Sequence, residues 1–66
     1  MNLLKGIKDI YQEETLQYCG YIGENQDIQM LSARGKRNAL LVIFIYPNNV
    51  VEVRRGKIDG KILYRG

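Results

Sequence analysis

The residues with the most chemical reach in this chain are cations. Arg34, Lys36, Arg37, Arg54, Arg55, Lys57, Lys61 and Arg65 all fall in residues 34–66, where only Glu52 and Asp59 oppose them, a local net charge of +6. Residues 1–33 hold Lys5 and Lys8 against Asp9, Glu13, Glu14, Glu24 and Asp27, a net of −3. Such an asymmetry points to a polyanionic partner, although basic surfaces also serve solubility. Guanidinium and ammonium groups hold phosphate oxygens by charge-assisted hydrogen bonds, so nucleic acid, DNA or RNA, is the first expectation. The alternative is an acidic patch on a larger protein, occluded by a small regulator or inhibitor of the accessory kind that phages and plasmids encode.

Other chemistries lack their residues. There is no histidine, and Cys19 is the only cysteine. No internal disulfide and no zinc site can then form, and Cys19 reads as a small buried apolar residue. Glu13-Glu14 is the one paired carboxylate, and neighbours on a helix point apart, so it makes a poor acid/base dyad. No dinucleotide fingerprint, phosphate loop, Cys-x-x-Cys or metal loop occurs. We expect a protein that is not an enzyme and has no cofactor or metal.

The elements that position the cations follow from Leu40–Tyr46, the long apolar run. Its length and its β-branched and aromatic content suit a strand. Leu41, Ile43 and Ile45 point to one side, Val42, Phe44 and Tyr46 to the other, so this central strand needs cover on both faces. Leu3, Leu4, Ile7, Ile10 and Tyr11 recur at helical spacing, with Asn2 as N-cap, and predict a helix from Asn2 to Glu13. Gly6 and an adverse order of charges weaken it, so it depends on packing against the sheet. Thr15–Ile22 fits a strand or an extension of that helix, with Gly20 and Gly23 favouring the strand. Residues 23–26 read as a turn. Asp27–Ala33 fits a strand or a short helix, and Arg34–Asn38 is a loop.

Two reversals follow. Pro47-Asn48-Asn49 suits a short hairpin loop, and Asp59-Gly60 a two-residue type I′ turn. If Tyr46 pairs with Val50, Arg54 faces Val42, Arg55 faces Leu41 and Lys57 faces Ala39. If Ile58 pairs with Lys61, Arg54 faces Arg65, Arg55 faces Tyr64 and Lys57 faces Ile62. The cations then meet on one rim where strand 39–46 begins. Arg54 and Arg65 would repel, and Arg55 beside Tyr64 would offer a cation–π pair or a platform for a base. With Gly56 as a bulge, the same charges would be a solvated edge in a shifted register.

The expectation is one α+β domain over residues 1–66: an N-terminal helix on a small twisted antiparallel sheet of three to five strands, ending in a β-meander. Its layout resembles that of small open barrels such as SH3-like or Sm-like modules, by analogy of layout only and without a motif of either family. A chain this short buries only about 60% of its unfolded surface, so a homodimer or higher homo-oligomer is a further expectation. No apolar segment suits a signal peptide or a membrane span, and the protein is expected in the cytoplasm.

Overall fold

The computed structural model describes residues 4–66. They form an antiparallel meander of five strands: β1 Tyr11–Ile22, β2 Ile28–Gly35, β3 Leu40–Ile45, β4 Val51–Arg55 and β5 Ile62–Arg65. The sheet order is β1-β2-β3-β4-β5, so β1 and β5 are edges and the sheet is open. The architecture is β-rich, not α+β.

The apolar run is the middle strand. Ile43 pairs with Leu31 on one side and Val53 on the other. Leu41 and Ile43 join Leu31, Ala33, Val51 and Val53 in one core, where Ile43 and Val53 are 0% exposed. Val42 and Phe44, on the opposite face, are also buried. The Tyr46 ring lies beside Phe44, centroids 6.4 Å apart.

The helix predicted from Asn2 to Glu13 does not form over its described part, residues 4–13. Its described part is a 3-10 turn, Lys5–Ile7, and the chain is already extended at Tyr11. Asn2, the expected cap, lies outside the described residues. The backbone shows why the spacing misled. Ile7 N–H donates to Leu4 O (3.1 Å) and Ile10 N–H to Ile7 O (2.9 Å), two successive i→i+3 turns. These turns stack Leu4, Ile7 and Ile10 at a period of three, close enough to a helical stripe to imitate one. Gly6 and the early lysines leave too little to offset the cost of nucleating a longer helix. The packing role survives: Leu4, Ile7, Ile10 and Tyr11 still cover the core face of the sheet.

Both ambiguous segments are strands. β1 and β2 meet across Gly23–Asp27, where Gln26 N–H donates to Gly23 O (3.0 Å). The β1–β2 register slips between Gln12 and Gln17. There Thr15 Oγ1 accepts the Arg34 N–H (2.8 Å) and donates to Gln12 O (2.6 Å), replacing ladder bonds lost at the bulge. Cys19, expected inside, is exposed, with its sulfur 3.6 Å from Ser32 Oγ. It sits where the register slips again, between Tyr18 and Gly20.

The reversal at Pro47–Asn49 is as expected. Asn49 adopts φ 68°, and Tyr46 N–H donates to Val50 O (2.9 Å). The β3–β4 register therefore places Arg54 opposite Val42 and Arg55 opposite Leu41, the expected pairs.

The reversal at Asp59-Gly60 is different. No two-residue type I′ turn forms. β4 ends at Arg55, Gly56 turns the chain at φ 82°, and Gly60 N–H donates to Lys57 O (2.9 Å). This is a four-residue turn, Lys57–Gly60, with glycine at its last position. Glycine is needed there for another reason. A Cβ at Gly60 would lie 1.9 Å from the Arg55 carbonyl oxygen, so backbone packs directly on backbone. The longer loop shifts β5: Arg65 faces Glu52, Tyr64 faces Val53 and Ile62 faces Arg54. The type I′ pattern occurs instead between β2 and β3. Arg37 and Asn38 take φ 58° and 62°, and Ala39 N–H donates to Lys36 O (3.2 Å).

Among the described residues, no helix is long and apolar enough to cross a membrane.

Candidate functional site

Meander topology decides which loops share an end. The β2–β3 and β4–β5 connections lie at one end of the sheet, and the β1–β2 and β3–β4 connections at the other. Lys36, Arg37, Lys57 and Lys61 therefore occupy one end, with Arg55 at the strand terminus beside them. The opposite end has Glu24 and Asp27 in residues 23–27 and no Lys or Arg there or in residues 46–50. The molecule is electrically polar along its strands.

At the basic end Lys36, Arg37 and Arg55 line an open cleft of about 470 Å³. Its apolar lining comes from Ile10, Ala39, Leu41 and Leu63, and Asp9 contributes one carboxylate. Local chain geometry builds each part. The two N-terminal turns bring Asp9 and Ile10 to the sheet end, since Tyr11 pairs with Gly35. The tight β2–β3 turn holds Lys36 and Arg37 above it. Arg55 pairs with Leu41, so both point to the cleft side of the sheet. Arg37 is held in a left-handed conformation that costs a bulky residue about 1 kcal/mol. Strain of this kind in a surface turn, carried by a charged side chain rather than glycine, is a pointer to use.

Arg54 and Arg65 are brought together elsewhere and for another purpose. Glu52 is 2% exposed on the face opposite the cleft. Arg54 Nε lies 2.6 Å from its Oε1, Arg65 Nε 3.6 Å from its Oε2, and the Tyr46 hydroxyl donates to Oε1 at 3.2 Å. Arg54 also donates to Gly60 O (3.2 Å), fastening the β4–β5 loop. Burial alone pushes the Glu52 carboxyl up. Hydrogen bonds from Arg54 and Tyr46 and the charges of both arginines outweigh burial and hold it below its ordinary value. Burial first, then the neighbouring Glu52 charge and hydrogen bond, push the Tyr46 hydroxyl up. The expected Arg54–Arg65 repulsion is thus replaced by a shared carboxylate.

The other predicted residues divide as follows. Tyr64 is not a platform beside Arg55. It is half-buried against the core opposite Val53, because the β5 register slides it two residues along β4, on the same face but away from Arg55. Arg34 lines a polar pocket on the opposite side with Thr15, Gln17 and Ser32, and donates to Asn38 O (3.4 Å). Lys57 lies 4.0 Å from Asp59, both well exposed, a pair of little energetic weight. Lys61 is exposed on the same loop. Sequence reasoning missed Glu52 as the organiser of two arginines. Its signal was alternation, since a glutamate between Val51 and Val53 had to face the sheet side shared with Val42 and Phe44. It also missed Asp9 and Leu63, which only the N-terminal turns and the β5 shift bring to the cleft.

No protein-family model, no curated protein and no solved structure matches this chain.

Proposed function

We propose that this is a non-catalytic cytoplasmic protein that binds nucleic acid through phosphate contacts from Lys36, Arg37 and Arg55, flanked by Lys57 and Lys61. The supporting observation is the gathering of these cations at one sheet end, around a cleft where Asp9 is the lone carboxylate. Arg54 belongs to the fold, because Glu52 holds it, and Arg65 stands opposite Glu52 on the face away from the cleft. Contacts to phosphate release counterions, so affinity falls steeply with salt and varies little with sequence.

Anisotropy of a labelled oligonucleotide, titrated across a salt series, tests this reading. Wild type should bind at low ionic strength. Arg55→Ala and Lys36→Ala should each flatten the log–log salt slope by about 0.7–0.9 per lost phosphate contact. Absence of retention at low salt removes the proposal.

Association between copies is a second reading. Among the described residues β1 and β5 each pair with one strand only, with Tyr18 and Tyr21 on β1 and Ile62 and Leu63 on β5 all exposed. Light scattering that shows a monomer at high concentration counts against it.

A further inference from the structure

Resting on the phosphate-binding reading, we infer that the cleft receives an unpaired base and that the protein selects single strands over duplex. A surface built only to hold phosphates needs cations and nothing else. This one adds a partly apolar concavity of about 470 Å³ lined by Ile10, Leu41 and Leu63, a volume in the range of small-ligand sites. A paired base, stacked inside a duplex, cannot enter a concavity on a convex protein. An unstacked base can, and in a single strand its own phosphates lie within reach of lip residues such as Arg37 and Arg55.

Asp9 points the same way. A carboxylate at the lip repels phosphate and weakens any purely electrostatic interface. Beside a base it becomes useful, because it accepts hydrogen bonds from ring or exocyclic N–H groups of the Watson–Crick edge. The ring N–H of guanine, thymine or uracil is free only when the base is unpaired. Leu63 is 43% exposed, so an apolar side chain stands in water at the cleft mouth until something covers it.

The inference separates from phosphate binding by the sign of one comparison. A duplex carries more charge per length than a single strand, so a binder of phosphates alone favours duplex. The test is anisotropy of one labelled strand, alone and annealed to its complement, at matched salt. We expect the single strand to bind about tenfold more tightly, and the uncharged Leu63→Asn to remove that preference while duplex affinity, set by phosphate contacts alone, changes by less than about twofold. Asp9→Ala should reduce single-strand affinity and raise duplex affinity, a split that loss of folding, which lowers both, would not produce. Duplex bound as tightly as single strand, with both retained, overturns this inference and leaves the phosphate reading standing. Binding of neither overturns both. Tighter binding of a leucine-bearing polyglutamate peptide than of the single strand overturns it in favour of an acidic protein partner.

Discussion

Arg54 and Arg55 are adjacent in sequence and lie on opposite faces of one strand, and their surroundings give them different work. Arg54 is partly buried, pressed on the carboxylate of Glu52 and on a loop carbonyl. Arg55 is exposed at the rim of a cleft shared with Lys36 and Arg37. The lesson is that charge at a position says little until burial and partner are known. A guanidinium beside a buried carboxylate is part of the fold, because removing either leaves the other desolvated and unpaired. A guanidinium beside apolar surface and other cations is available to a ligand.

The largest way to break the first region is at its centre. Glu52→Ala should cost about 3 kcal/mol in urea unfolding, near the low end for a broken buried pair because Arg54 retains some access to water. The same carboxylate gives a signed pH effect. Its folded value lies below the ordinary 4.5, so its contribution is full above that pH and is lost as pH falls through the folded value. The stability difference between wild type and Glu52→Gln should therefore shrink on acidification. A difference that stays constant to low pH removes the ion network from the account.

Gly60→Ala should come next, at about 2 kcal/mol, because its Cβ would collide with the Arg55 carbonyl. A neutral result means that the β4–β5 loop does not pack as described. It would also reopen the register that puts Arg65 on Glu52.

The smallest effect is the sharpest for the second region. Arg37→Gly should relieve left-handed strain and stabilise the fold by about 0.5–1 kcal/mol. The same change should weaken oligonucleotide binding. A gain of stability paired with a loss of affinity marks a residue kept for its side chain. Loss of both places Arg37 in the fold.

How much of this was legible in the chain depends on the turn. Pro47-Asn48-Asn49 announced its geometry because Asn tolerates the left-handed position, and the Arg54–Val42 and Arg55–Leu41 pairs followed from it. Asp59-Gly60 looked stronger and misled. Its glycine serves a close backbone approach and not a positive φ, and local sequence cannot tell these uses apart. That single error turned Arg65 toward Arg54 and Tyr64 toward Arg55. It hid the role of Glu52 and the place of Tyr64 opposite Val53. The N-terminal stripe was read correctly as cover for the core and wrongly as helix. Leu4, Ile7 and Ile10 satisfy either period over so few residues. The convergence of the β2–β3 and β4–β5 loops needed only the strand count, which is why the basic end survived the shift in register.

The most direct test of the division between the two arginines is to measure stability and oligonucleotide affinity together for Arg54→Ala and Arg55→Ala. The account predicts a crossed result. Arg54→Ala loses about 2 kcal/mol of stability, and its folded fraction binds like wild type. Arg55→Ala unfolds like wild type within about 0.5 kcal/mol and binds more weakly, with a shallower salt slope. Equal losses of affinity in the two variants, or a destabilised Arg55→Ala, would contradict it.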